Sequence, residues 1–213
     1  MKKNIFLLMI TLLPCSIFCM ENSLDSLQKL IEGNKRYIES KVICHEDWTA
    51  KRAALAEGQN PFAVVVTCSD SRVPPEIIFD QSLGDLFVVR LAGNVVDDLA
   101  IGSIVYAVEA LKANLIIVLG HEKCGAVDAA IKGLKFKNQI DDVIREIRPA
   151  VRETRKERSD VLEKTIKANV RNVEEKIKTS KPTLSKSFQE GKVKVIGGYY
   201  ELESGKVEIL STL

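Results

Sequence analysis

Along residues 23–40 the apolar side chains Leu24, Leu27, Leu30, Ile31 and Ile38 recur at helical spacing behind a serine suited to capping. The pattern predicts an amphipathic helix with Ser23 as its N-cap. A second helix is expected over residues 48–57, closed by Gly58, with Pro61 ending any continuation. The periodicity then changes. Residues 62–67, 86–90 and 115–119 form short apolar runs, rich in β-branched side chains and without polar alternation. Such runs suit strands of a parallel sheet that are buried on both faces.

Between the second and third runs, Asp97 or Asp98 can cap a helix whose Ile101, Ile104, Val105, Val108 and Leu111 share one face. Strand, helix, strand is the order of a βαβ crossover. Residues 138–178 read as helical and highly charged, with an interruption expected at Pro149. Residues 192–199 and 206–210 read as two strands turning through Glu203, Ser204 and Gly205. The prediction is an α/β fold: a central, mainly parallel sheet flanked by helices, with the last strands adding an edge.

The first residues follow another pattern. Lys2 and Lys3 precede an apolar stretch over residues 5–13 and then Pro14, the order of a secretory signal peptide and too short for an ordinary membrane span. Residues 1–19 are therefore expected to be removed, leaving one domain over 20–213 that is periplasmic or secreted. An anchored or cytoplasmic protein is the alternative. Residues 145–158 are basic but interleaved with Glu146, Glu153 and Glu157, and the net charge of the chain is only +2. Neither nucleic acid nor a membrane surface is indicated as a partner.

Five cysteines occur, and Cys15 and Cys19 fall in the segment expected to be lost. The remaining odd number, Cys44, Cys68 and Cys124, argues against a purely disulfide framework. Cys44 and His45 have no nearby partner that would complete a site. Cys68 follows the first buried strand, and His121 and Cys124 follow the third. Both positions lie at the C-terminal ends of parallel strands, the edge at which open α/β sheets place their sites. Two thiolates and an imidazole form a typical zinc set that leaves a fourth tetrahedral position for water.

Cys-Ser-Asp-Ser-Arg at 68–72 and Gly-His-Glu-Lys-Cys-Gly at 120–125 resemble the two motifs of β-class carbonic anhydrases. The likeness extends through Glu32-Gly33-Asn34, residues 84–90, Ala92-Gly93-Asn94 and residues 197–202. The resemblance implies one zinc ion per chain on Cys68, His121 and Cys124, with Asp70 and Arg72 as the catalytic pair. It also implies that Asp70 can act as a fourth ligand in a closed state. Gln59, Phe87 and Tyr106 match substrate-pocket positions of the plant-like bacterial subgroup. Val65 stands where a bicarbonate-inhibited subgroup carries tryptophan.

The implied activity is reversible hydration of carbon dioxide to bicarbonate, in a homodimer or homotetramer embraced by its N-terminal helical arms. The alternatives are a zinc-binding protein without turnover, or hydrolysis of a sulfur analogue such as carbon disulfide on the same scaffold.

Overall fold

The structure is a computed structural model that describes residues 22–43, 48–180 and 183–211. The signal-peptide segment with Cys15 and Cys19, and the Cys44–His45 pair, lie outside the described residues. Helix α1 spans Ser23–Ile38 and α2 spans Trp48–Leu55. The cap of α1 is Asn22 rather than Ser23. Its Oδ1 accepts from the backbone N–H groups of Leu24 and Asp25, and Asp25 returns a bond to the Asn22 N–H.

Five strands follow, β1 Ala63–Thr67, β2 Leu86–Arg90, β3 Leu115–His121, β4 Lys194–Tyr200 and β5 Val207–Ile209. They form one sheet in the order β2-β1-β3-β4-β5, parallel except for the final β4–β5 pair. The predicted α/β architecture is present. All residues of β1 and β3 are buried, because each has a strand on either side and helices on both faces. In β2, expected to be buried throughout, only Val89 is buried, because β2 is an edge.

The two-residue repeat of a strand divides the apolar runs between two cores. Val64, Val66, Ile116 and Val118 pack with Ile104 and Val108 of α4 (Asp98–Glu109) on one face. Ala63, Val65, Leu115 and Ile117 pack with Leu30 of α1 and Ile78 and Phe79 around α3 (Pro75–Ile78) on the other. The cap of α4 is Asp97, whose Oδ1 accepts from the Ala100 N–H at 2.8 Å.

After β3 come α5 (Gly125–Ile131), α6 (Ile140–Thr154), α7 (Val161–Lys178) and the short α8 (Thr183–Gln189). Pro149 does not interrupt the chain as expected; it lies inside α6. Its missing N–H frees the carbonyl of Arg145, and both residues are on the exposed side of the helix. The buried stripe of Ile144, Ile147, Ala150 and Thr154 runs past the proline and holds the helix together. The break comes later, at Asp160, in a left-handed conformation.

The apolar stripe read from α1 is divided. Leu30 is buried while Leu24, Ile31 and Ile38, spaced by sevens, are exposed. The buried face runs instead through Ser26, Leu30, Gly33 and Asn34. The Asn34 amide donates to the carbonyls of Ile78 and Gly205 and accepts from the Val207 N–H, tying α1 to the sheet's antiparallel edge. Among the described residues no helix is long and apolar enough to cross a membrane.

Candidate metal centre

Cys68 immediately follows β1, His121 ends β3, and Cys124 precedes the first turn of α5. Because β1 and β3 are neighbours in register, with Thr67 opposite Leu119, their C-terminal ends bring the three side chains together. Their ligand atoms all lie within 4.8 Å of one another, and all three residues are buried.

The ring of His121 is oriented by its own chain. Its Nδ1 lies 2.8 Å from the Glu122 carbonyl oxygen, which can only accept, so Nδ1 carries the proton and Nε2 presents a lone pair. That Nε2 is buried without a hydrogen-bond partner among the described residues. An orphaned buried acceptor is costly unless something electrophilic meets it.

The sulfurs give the same indication. The Cys124 thiol hydrogen-bonds to Cys68 and pushes the Cys68 thiol well down, a direction reinforced by the N–H groups of Asp70 and Gly93. That same hydrogen bond, together with burial, pushes the Cys124 thiol up. Side by side, the pair can lose one proton readily and the second only with a cation between them. Two thiolates and a neutral imidazole, preassembled and dry, fit a borderline-soft divalent ion such as zinc.

Asp70 borders this cluster, with its Oδ2 at 3.9 Å from His121 Nε2. Arg72 holds it three ways: its N–H and Nε donate to Oδ1 at 3.0 and 2.9 Å, and Nη2 donates to Oδ2 at 2.7 Å. The guanidinium keeps the Asp70 carboxyl well below the usual carboxylate range. The loop that carries Cys68 and Asp70 is clamped from β2. Arg90 Nε donates to the Cys68 carbonyl at 2.9 Å, and Nη2 to that of Asp70 at 2.6 Å. Cys68 Sγ accepts from the N–H groups of Gly93 at 3.2 Å and Asp70 at 3.4 Å.

Sequence reasoning gave no role to Arg90 or Gly93. An arginine closing an apolar strand was the one available sign.

The predicted pocket residues lie elsewhere in the single chain. Gln59 is exposed and lines an open cavity with Arg52, Glu76, Gly84 and Leu86. That cavity adjoins the N-terminal end of β2, opposite the edge that carries Cys68, His121 and Cys124. Phe87 pairs with Val64, four residues before Cys68, or roughly 13 Å back along the strand. Tyr106 on α4 is half exposed and meets Phe87 with ring centroids 6.3 Å apart.

A family profile described as carbonic anhydrase matches residues 63–207. The carbonic anhydrase of Mycolicibacterium smegmatis is 35% identical over 196 residues, covering 90% of this chain and 95% of that protein. Carbonic anhydrase 2 of Mycobacterium tuberculosis is 36% identical over 189 residues, covering 87% and 91%. Among solved structures, the Coccomyxa β-carbonic anhydrase in complex with acetazolamide aligns with a TM-score of 0.70 at 27% identity, covering 86% of each chain. A tetrameric β-carbonic anhydrase of the ascomycete Sordaria macrospora aligns at 0.69 and 26%, covering 88% of this chain and 98% of that one. With the cysteines and histidine of its two motifs converging at the edge of a parallel sheet, and this likeness running over most of its length, the chain belongs to the β-carbonic anhydrase family of enzymes.

Proposed function

We propose that this enzyme catalyses the zinc-dependent, reversible hydration of carbon dioxide to bicarbonate and a proton, with one zinc ion held by Cys68, His121 and Cys124. The observation that carries the reading is the orphaned His121 Nε2 facing two buried sulfurs, beside an aspartate locked by arginine. Bound there, zinc supplies Lewis acidity that makes water nucleophilic near neutral pH.

The chain's own residues do the rest. The Glu122 carbonyl fixes the tautomer of His121, and the N–H groups of Gly93 and Asp70 spread the charge of the Cys68 thiolate. Asp70 Oδ2 is placed to accept a hydrogen bond from the attacking water and turn its lone pair toward the carbon of the substrate. Arg72 keeps that carboxylate ionised and holds it at the border of the cluster, with Oδ2 3.9 Å from His121 Nε2, an open arrangement of the site. With Arg72 lost, the same carboxylate becomes free to close the site as a fourth ligand.

Gln59, Phe87 and Tyr106 are too far from the cluster of their own chain to touch its substrate, so a substrate role for them requires a neighbouring chain. A homodimer or homotetramer supplies one, and it would also cover the exposed Leu24, Ile31 and Ile38 on α1. Export with loss of residues 1–19 completes the proposal, on the strength of Lys2, Lys3 and the apolar run that follows. N-terminal sequencing of native protein tests it, and an intact Met1 on the cytosolic enzyme would overturn it.

Stopped-flow hydration by the purified protein tests the activity, with carbon disulfide hydrolysis assayed in parallel. Rapid hydration is expected. Turnover of carbon disulfide alone, or zinc binding with no turnover of either substrate, would move the assignment to one of the two alternatives.

A further inference from the structure

Asn169 sits on α7, 1% exposed, between the buried Ile166 and Val173. A polar amide in such surroundings needs a partner. Its Nδ2 donates to the carbonyl oxygen of Gly93 at 2.8 Å. Gly93 is the residue whose N–H reaches Cys68 Sγ at 3.2 Å. It has left-handed φ and ψ of 66° and 22° within the tight turn Ala92–Asn94. Glycine in that conformation has the widest choice of alternatives, so the direction of its N–H is set by whatever holds its two peptides. The peptide that follows is held at both ends, by the Asn94 N–H on the Leu91 carbonyl at 3.0 Å and by Asn169 on the Gly93 carbonyl.

We infer that Asn169 is a positioning residue of the metal centre: by pinning the Gly93 carbonyl it keeps the Gly93 N–H on Cys68 Sγ and so sets the donor strength of that sulfur. The inference rests on the metal centre proposed above and concerns its tuning. A thiolate that accepts a hydrogen bond gives up less charge to a bound cation, so its charge-transfer absorption lies at higher energy than that of a bare thiolate. Losing the bond moves the band to lower energy, while the turn, no longer pinned at the Gly93 carbonyl, holds the sulfur less firmly in place for the metal.

The test uses the full chain loaded with cobalt(II). Asn169→Leu keeps the shape and removes the donor, whereas Asn169→Gln keeps an amide on a longer stem. Thr165→Val is the control. Thr165 is equally buried, one turn earlier on α7, and its hydroxyl bonds to Thr154 Oγ1 at 2.7 Å and to the Val161 carbonyl at 2.6 Å rather than to Gly93. Asn169→Leu is expected to shift the thiolate-to-cobalt band to lower energy and to release cobalt to a chelator about tenfold faster. Asn169→Gln should recover most of the shift, and Thr165→Val should lose thermal stability with the band unmoved.

An unmoved band in folded Asn169→Leu, or an equal shift in Thr165→Val, would overturn the inference. The parent protein loaded with cadmium-113 gives a second measurement, independent of how the variants fold. The Gly93 amide proton should show scalar coupling to the metal through Cys68 Sγ, and its absence would overturn the inference as well. Failure of the parent to bind either metal would refute the metal centre itself, a separate result.

Discussion

Arg90 offers a perturbation whose size can be worked from its contacts. Its guanidinium donates to the carbonyls of Cys68 and Asp70, so one side chain holds the segment that carries both a residue of the Cys68–His121–Cys124 cluster and the Asp70 carboxylate beside it. Arg90→Met keeps much of the aliphatic stem and removes the fork. Two hydrogen bonds from a charged donor are worth about 3–6 kcal/mol at most, and partial exposure of Arg90 lets water recover about half of that. The remaining loss of about 1.5–3 kcal/mol corresponds to a melting point about 3–12 °C lower in a chain of this size.

Because the segment carries Asp70, hydration should fall at least about tenfold in the same variant. Arg90→Lys, able to reach one carbonyl at a time, should lie between. Thermal unfolding of the zinc-loaded proteins by circular dichroism, together with stopped-flow hydration, reads both effects. Parental melting and parental rate in Arg90→Met would refute the clamp.

Arg72→Ala should retain zinc by elemental analysis yet lose at least about tenfold in hydration, with its inactive range extended to higher pH as the freed Asp70 carboxylate closes the site. Glu174, buried with Oε1 unpartnered among the described residues, has its pKa raised by that burial. The fold therefore holds this proton more tightly than the unfolded chain does. The stability it contributes is full below the unfolded value and is lost as pH rises through the folded one. Glu174→Gln should flatten that loss, measured as urea midpoints at acidic and neutral pH. Chelation should lower the melting point and leave the Cys68 and Cys124 sulfurs close enough for dioxygen to oxidise them to a disulfide, itself reduced to peroxide; mass spectrometry of chelated, air-exposed protein reads the loss of two hydrogens.

The convergence of Cys68, His121 and Cys124 was legible in the sequence because they lie at the ends of buried strands, and neighbouring parallel strands have their ends side by side. Their spacing along the chain thus became proximity in space. The Asp70–Arg72 pair was legible for a simpler reason, being two residues apart and local. Pro149 misled because the cost of proline depends on whether the freed carbonyl is hydrated, and exposure is not written in the residue itself. Helices α3 and α5 were too short to show a period. The seven-residue spacing of Leu24, Ile31 and Ile38 marked a real stripe on α1, but the fold buries the adjacent one, through Ser26 and Asn34. Arg90 and Gly93 reach the Cys68 loop or its sulfur, and Asn169 reaches Gly93, only through folded contacts, across stretches of chain that no periodicity spans.

The central claim is that hydration depends on one zinc held by Cys68, His121 and Cys124, and titrating zinc back into chelated, reduced protein tests it most directly. Stopped-flow hydration should rise in proportion to bound zinc and level off at one ion per chain, while Cys124→Ala should neither hold the metal nor recover activity. Full hydration at a zinc content near zero, or undiminished activity in Cys124→Ala, would contradict the account.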